Sequence, residues 1–298
     1  YNMIEAYFIH LAILVGIYLI LAISLQLTIG YSGLLNIGHI AFFGIGAYTS
    51  ALMVMNGVPF LIAFLSAGIV TMLFGFLLSL PLNKLKGDYL ALATLGFSFV
   101  IYAILLNWVS LTRGPLGIPG ITKPNFFGFV IANNFSFLIF TAIIAAITYF
   151  VIRQIVNSPF GKVLESIRDD ELASKTLGKN TFKMKMYAMG ISAFFAGIAG
   201  SLYAHYITFI DPSSFTLLQI IPIVAIVIIG GLASLKGTFI ATFILVLLPE
   251  PLRFIGFPSS IVGPMRQIIY ALLLLLILIY RPKGLFGRAG LDETATNI

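Results

Sequence analysis

The chain contains no cysteine and very few charged residues for its length. None of its 298 residues is cysteine, which excludes disulfide bonds, thiolate metal sites and cysteine nucleophiles. Charged residues make up only 9% of the sequence, whereas soluble domains usually reach about a quarter. Hydrophobic residues make up 60%, and the mean hydropathy is +1.07. This composition predicts a protein that lies in a lipid bilayer.

Apolar runs of roughly 20 residues indicate membrane-spanning helices. The runs lie at 4–29, 35–55, 58–80, 88–112, 127–152, 187–209, 217–233, 237–255 and 266–281. The seventh and eighth meet at the sequence GGLASLKG (230–237), which predicts short helices or a re-entrant pair buried against other helices. The sequence therefore predicts an all-α polytopic transmembrane bundle of about eight or nine spans, forming a single domain over residues 1–298.

One polar segment, residues 153–186, interrupts the apolar pattern. It carries 7 of the 17 Lys and Arg residues and 4 of the 10 Asp and Glu residues. Because membrane proteins concentrate Lys and Arg in cytoplasmic loops, we place this segment in the cytoplasm. The alternation of spans then puts 13 basic residues inside and leaves Arg113, Lys123, Arg253 and Arg266 outside. It also puts Tyr1 outside, which predicts one earlier span. The net charge of +7 thus reflects topology, and no nucleic-acid partner is expected.

Acidic residues avoid the centres of the predicted spans. Glu5, Asp88 and Glu250 lie near span ends, and Asp211 falls in an outer loop. Ion-coupled carriers keep ionisable groups within their helices, so a proton- or sodium-driven mechanism is disfavoured. The sequence shows no catalytic constellation and no spacing typical of a metal site. We expect a protein that is not an enzyme, has no cofactor or metal of its own, and receives energy through its cytoplasmic loop.

Small and polar residues gather in the segment GYSGLLNIGHIAFFGIGAYTSA (30–51). In membranes such residues either permit close helix packing or break a helix to line a cavity. The candidate pathway residues are Asn36, His39, Tyr48 and Thr49. The alternative is that this segment serves helix packing alone, and for His39 a packing role is favoured. In the helix 187–209, the small-residue rows favour packing: Ala193, Gly197 and Ser201, and Ala196, Gly200 and Ala204. The outer loop RGPLGIPG (113–120) is either a docking surface or a tight connection.

Within 153–186, Ser158 and Pro159 have the pattern of a helix start, and Gly178 that of a glycine cap at its end. The sequence between them predicts one amphipathic helix. Its apolar face comprises Phe160, Val163, Leu164, Ile167 and Leu172. Because its polar face carries both signs of charge, insertion into a groove on a partner protein is favoured over binding to membrane lipid, which remains the alternative.

The stretch SPFGKVLESIRDDELASKTLG (158–178), followed by KMYAMGISAFFAGIAGSLYA (185–204), resembles the coupling region of LivM-like permeases of branched-chain amino acid ABC importers. The segments GDYLALATLGFSF (87–99), TRGPLGIPGI (112–121), GGLASLKGTFIAT (230–242) and RPKGLFG (281–287) resemble this family in the same order. The resemblance implies a helical fold related to permeases of vitamin B12-class importers, with 153–186 as the cytoplasmic coupling loop. It also implies a location in the bacterial inner membrane.

The resemblance implies partners and site residues as well. The partners are a homologous LivH-like permease, two cytoplasmic ATPase subunits that bind the ATP, an external substrate-binding protein and membrane lipid. Coupling to the ATPase is expected at Gly161, Arg168, Asp169, Glu171, Ala173 and Gly178. Importer permeases often have Glu-Ala-Ala, then three residues, then a glycine in the coupling helix. Aligned on Gly178, the chain has Leu172-Ala173-Ser174 in place of Glu-Ala-Ala. Asp169, Asp170 or Glu171 is then expected to replace the missing acid.

The predicted function is that of a permease subunit that moves branched-chain or other neutral amino acids into the cell. An importer of urea or short amides with the same architecture is the first alternative. An ion-coupled secondary carrier and a non-transporting membrane scaffold are the others. Measurements of ATP dependence, protonophore sensitivity and association with ATPases distinguish them.

Overall fold

A computed structural model of the chain describes residues 3–82, 85, 87–126, 129–131, 133–250, 259–281 and 284–287. Helices dominate these residues, as the apolar runs predict. The basic residues Lys84, Lys86, Arg253, Lys283 and Arg288, which contribute to the predicted orientation, lie outside the described residues. The predicted end of the eighth span at 255 also lies outside them.

The helices are α1 (Met3–Gln26), α2 (His39–Met55), α3 (Phe60–Leu82), α4 (Gly87–Asn107), α5 (Val109–Thr112), α6 (Asn134–Asn157), α7 (Pro159–Asp169), α8 (Glu171–Thr176), α9 (Thr181–Ile207), α10 (Ile220–Gly230), α11 (Leu235–Leu247) and α12 (Ser259–Tyr280). A π-helical turn at Leu27–Tyr31 extends α1, and 3-10 turns lie at Gly114–Leu116, Pro212–Phe215 and Leu217–Gln219. The strands are β1 (Ile118–Pro119), β2 (Asn125–Phe126), β3 (Phe129–Val130) and β4 (Phe209–Ile210). Strand β1 pairs antiparallel with β4, and β2 with β3.

Among the described residues, five helical stretches are long and apolar enough to cross a membrane: those of α1, α3, α4, α6 and α9. Helices α2, α10, α11 and α12 supply shorter apolar stretches. The predicted spans are therefore confirmed as apolar helices, with some ends shifted. Helix α6 begins at Asn134 rather than 127, because Asn125–Phe126 (β2) and Phe129–Val130 (β3) pair as antiparallel strands before it. These apolar helices are those of a multi-pass membrane protein.

Helix α9 lies at the centre of the bundle and packs closely against α2 and α3. A Cβ atom on Gly46 of α2 would lie 2.3 Å from the Cα of Gly197. A Cβ on Gly200 would lie 2.1 Å from the carbonyl oxygen of Phe43. Only glycine allows backbones to meet at such distances, which maximises van der Waals contact where water exclusion gives no driving force. The predicted packing role of the α9 small-residue rows is confirmed.

Helices α10 and α11 form a tight hairpin, as the glycine-rich sequence between them predicts. Gly230 ends α10, and a Cβ on Gly237 would lie 1.9 Å from the Gly230 carbonyl oxygen. The Ser234 hydroxyl caps α11 by accepting a hydrogen bond from Gly237 N at 3.1 Å. The end of α10 is closed by the segment after α12, where Leu285 N and Phe286 N donate to the carbonyl oxygens of Ile229 and Gly230. The motifs GGLASLKGTFIAT (230–242) and RPKGLFG (281–287), which both resemble the permease family, are therefore in contact at the end of α10.

Candidate coupling and pathway site

The polar segment that follows α6 folds as two short helices rather than one. We call residues 158–180 the coupling segment. Ser158 caps α7 by accepting a hydrogen bond from Gly161 N, and Gly178, at φ +76°, follows the end of α8. Both predicted caps are confirmed. The single helix is wrong, because Asp170 adopts an extended conformation (φ −152°, ψ 104°) and its carboxylate accepts a hydrogen bond from Ala173 N at 2.9 Å. Asp170 is therefore the N-cap of α8.

Helix α7 buries its apolar face against its own bundle. Leu164 is 0% exposed and Ile167 is 3% exposed, beneath α6 and α9. Leu172, predicted to extend this face, is 73% exposed, because the break at Asp170 redirects α8. The apolar face of α7 is therefore covered by the chain itself, and insertion of the coupling segment into a partner stays a prediction. Gly161 also approaches the chain itself, since its Cβ would lie 2.1 Å from the Val156 carbonyl oxygen.

Arg168 connects α7 to the π-helical turn that extends α1. Its side chain is only 8% exposed, and its Nη1 donates to the Gly30 carbonyl oxygen at 2.9 Å. Its Nε and Nη2 atoms bind Asp169 Oδ1 at 2.8 and 2.7 Å. A Cβ on Gly33 would lie 3.0 Å from Arg168 Cγ, so the arginine stem packs against this glycine. Arg168 thus faces its own helices, whereas Asp169 remains 64% exposed.

The backbone that Arg168 contacts is not α-helical. We call residues 27–38 the unwound segment, since they comprise the π-helical turn and the non-helical residues that follow it. Its neighbours satisfy it: Thr94 of α4 accepts a hydrogen bond from Ile37 N at 3.1 Å. Gln26, just before the segment, donates to the Gly231 carbonyl oxygen at 2.7 Å. Irregular backbone of this kind survives in a membrane protein only where other parts of the protein or water cover it.

Two of the candidate pathway residues meet at the unwound segment. Asn36 and His39 are fully buried, with Asn36 Nδ2 3.4 Å from His39 Nδ1. The other ring nitrogen, Nε2, lies 3.0 Å from the hydroxyl of Ser24 on α1. Tyr48 and Thr49 lie about 13 Å further along α2. Tyr48 packs edge-on against Phe215, at a ring separation of 5.8 Å. The structure therefore places Asn36 and His39 together at the unwound segment, and Tyr48 and Thr49 at a separate position further along α2.

Glu171 ties α8 to the beginning of α9. Its carboxylate binds Lys185 Nζ at 2.6 Å and Lys175 Nζ at 3.0 Å, and it accepts a hydrogen bond from Thr181 at 3.1 Å. Partial burial alone would raise the pKa of Glu171, but the hydrogen bonds and charges of Lys185 and Lys175 lower it to about 2. Of the coupling candidates, Ala173 and Gly178 are exposed on α8 and just after it.

Several buried polar contacts in the structure are not among those predicted from the sequence. Gln26 is a lone amide in the first apolar run, a signal that could have pointed to its bond with Gly231. His205 donates or accepts at Ser50 Oγ (2.9 Å) and lies 2.7 Å from the Thr122 carbonyl oxygen. With the β1–β4 pair, this contact fastens the end of the RGPLGIPG loop to α9. Sequence spacing gives no sign of this contact, since its partners lie 83 and 155 residues away.

Comparison with known proteins agrees with this architecture. Residues 7–278 match the family described as branched-chain amino acid transport system / permease component. The chain is 35% identical to the LivM permease of Salmonella typhimurium, over 93% of the chain and 69% of the relative. It is 28% identical to the probable LivM of Methanocaldococcus jannaschii (91% and 90%) and 25% identical to LivH of Escherichia coli K12 (93% and 93%). No solved structure matches the chain. The chain therefore belongs to the family of permease components of branched-chain amino acid transport systems.

Proposed function

We propose that the chain is the LivM-like permease subunit of an ABC importer that carries branched-chain amino acids into the cell. The family match over residues 7–278 supports this proposal most directly. Relatives with both LivM and LivH names match nearly the whole chain, which supports pairing with a second, homologous permease. Two ATPase subunits and an external binding protein complete the proposed importer. In this scheme ATP is bound and hydrolysed by the partner subunits.

The surface proposed to receive the ATPase is α8 together with the turn that follows it. Leu172 and Leu177 are 73% and 78% exposed although both are large and apolar. Together these leucines form an exposed apolar patch with charged residues around it, which is the arrangement expected of a contact with another protein. Ala173 lies between them and leaves room for close approach. Asp169 and Lys175 are exposed nearby and supply polar groups for the rim of such a contact.

Arg168 is proposed to carry the movement of the coupling segment into the membrane. Its two sets of hydrogen bonds join Asp169 on α7 to Gly30 in the unwound segment. Glu171 on α8 binds Lys185 and Thr181 of α9, so displacement of α8 is transmitted to α9. Arg168 links α7 to the segment that follows α1. The unwound segment also holds Asn36 and lies beside His39. A change in its backbone would therefore reposition polar groups of the candidate pathway.

The test is reconstitution of the complete importer in proteoliposomes, with measurement of both substrate uptake and ATP hydrolysis. Leucine, isoleucine, valine and urea serve as substrates. Uptake of the branched-chain amino acids that requires ATP and is insensitive to a protonophore supports the proposal. Uptake of urea alone would establish the alternative substrate. Uptake abolished by the protonophore and indifferent to ATP would establish an ion-coupled carrier.

The Arg168→Gln variant tests the transmission step. A hydrogen bond from a charged donor contributes about 1.5–3 kcal/mol, so we expect the amount of substrate moved per ATP to fall about tenfold while the complex still assembles. Lys162→Gln is the matched control, because Lys162 lies on the same helix, is 59% exposed and, among the described residues, forms an ion pair only with Glu165. Loss of assembly in Arg168→Gln, or unchanged transport per ATP, would contradict the transmission role.

A further inference from the structure

An apolar groove of about 530 Å³ lies between α1, α6 and α11. Its floor consists of small residues, among them Ala12, Gly16 and Ala142, and its walls include the rings of Tyr149 and Phe239. The lining is almost entirely apolar. Because α1 and α6 are long and apolar enough to cross the membrane, the groove between them lies at the level of the lipid hydrocarbon chains. This groove plays no part in the proposed coupling.

Two basic residues flank one end of this groove. Along α6, Arg153 follows Tyr149 by four residues, so it lies on the same helix face one turn nearer the coupling segment. Along α11, Lys236 precedes Phe239 by three residues, on the same face one turn before it. The rings of Tyr149 and Phe239 meet with centroids 6.4 Å apart, which brings the two walls together just beyond the cations.

Both cations lie on the same side of the membrane as the coupling segment. Arg153 is near the end of α6 that leads into α7. Lys236 is the second residue of α11. The turn before this helix is adjacent to the unwound segment, since a Cβ on Gly30 would lie 2.7 Å from Ala233 N. Both side chains are exposed, and within the described residues neither forms an ion pair or a side-chain hydrogen bond. The Lys/Arg bias predicts this side to be cytoplasmic.

We propose that the groove binds an anionic phospholipid of the cytoplasmic leaflet. One acyl chain would fill the groove between α1, α6 and α11, and the phosphate would lie between Arg153 and Lys236. The apolar lining suits a hydrocarbon chain, and paired cations at the cytoplasmic end suit a negative headgroup. A transmembrane helix of a partner would fill an apolar groove equally well, but it would give the two cations no counter-charge. This inference does not depend on which substrate the importer carries.

The test measures which lipids stay bound to the purified importer. The complex is reconstituted with equal amounts of phosphatidylcholine and phosphatidylglycerol, extracted in mild detergent, and analysed by native mass spectrometry. In parallel, phosphatidylglycerol with a photoreactive group in its acyl chain is cross-linked and the labelled residues are mapped. We expect retention of phosphatidylglycerol, and labels on α6 and α11 along the groove.

Two sets of variants separate the headgroup from the chain. Arg153→Gln with Lys236→Gln should lower phosphatidylglycerol retention by about fivefold for each cation removed. The control is Lys179→Gln with Lys183→Gln, which removes two exposed cations on the same side of the membrane and away from the groove. Ala146→Phe fills the groove and should abolish acyl-chain labelling, whereas Ile143→Phe, on the exposed face of α6, should not.

Three results would overturn the proposal. The first is equal retention in the groove variants and their controls, which would show only ordinary annular lipid. The second is retention of phosphatidylcholine and phosphatidylglycerol in equal amounts, which would remove the role of the cations. The third is cross-linking of a photoreactive residue at position 146 to another polypeptide, which would show that a protein covers the groove. Import assays are not needed for any of these readouts.

Discussion

Helices α7 and α8 are adjacent in the sequence and similar in composition, yet they relate to the rest of the molecule in opposite ways. Helix α7 turns Leu164 and Ile167 into the bundle and directs Arg168 to the backbone of α1. Helix α8 leaves Leu172 exposed and is followed by the exposed Leu177. An apolar face thus predicts burial but not which surface covers it. One half of the coupling segment is anchored in this chain, and the other half is left available for another protein.

The largest effect on stability is expected from truncation of the anchored half. Leu164→Ala removes a fully buried side chain, and such changes cost about 2–5 kcal/mol of the free energy of unfolding. The detergent-purified chain should lose thermal stability measurably. Unfolding followed by the fluorescence of its single tryptophan, Trp108, is one measurement. A variant as stable as the unmodified chain would show that α7 is not packed against the bundle.

A smaller effect is expected at the link between α8 and α9. The folded-state pKa of Glu171 is about 2, below its ordinary value of 4.5. Its ion pairs therefore contribute stability that is complete above about pH 4.5 and is lost as the pH falls toward 2. Because the group is partly exposed, the contribution is about 1 kcal/mol after solvent screening. The prediction concerns the attachment of α8, not the whole fold.

The release of α8 from α9 at low pH can be observed directly in this chain. It contains no cysteine, so Lys179→Cys carries a fluorescent label at one position. We expect the mobility of the label to rise between pH 4.5 and 2. The same label in Glu171→Gln should be mobile already at neutral pH and show little further change. A pH response that is identical with and without Glu171 would assign the release to other carboxylates.

The smallest stability effect is expected in the exposed half. Leu172→Ala should change the free energy of unfolding by no more than about 0.5 kcal/mol, because the side chain is 73% exposed. Association of the ATPase should nevertheless weaken, since an apolar side chain in a contact contributes about 1–3 kcal/mol. Copurification of the ATPase with the permease measures this. Loss of stability without loss of ATPase binding would reverse the roles that the comparison assigns to α7 and α8.

Much of the architecture could be predicted, because it depends on local sequence. The apolar runs, the Ser158 cap and the glycine after α8 each follow from a few neighbouring residues. The break at Asp170 was missed although a signal was present. An aspartate followed by a glutamate, with a free N–H three residues on, has the pattern of a helix start. The uninterrupted apolar spacing over residues 160–172 favoured one helix instead.

The candidate site depended far more on the fold. Asn36 and His39 could be expected to lie together, because they are three residues apart. The contact of Arg168 with Gly30 spans 138 residues, and that of Gln26 with Gly231 spans 205. Spacing along a chain carries no information about such pairs. The coupling role of Gly161 toward the ATPase stays a prediction, and in the structure this glycine packs against α6 of the same chain.

Composition and local patterns alone predict a membrane environment and helical spans, and the motifs resemble those of the permease family. A chain with 60% hydrophobic and 9% charged residues must satisfy its backbone within helices in a membrane, so its spans follow from composition and length. Only the assembled fold shows which polar groups face the bundle and which remain exposed for other proteins. It directed Arg168 to an unwound backbone and Leu172 outward, and it opened a groove between α1, α6 and α11. These features do not follow from local sequence, because packing and hydrogen bonding between distant segments are fixed only when the helices are assembled.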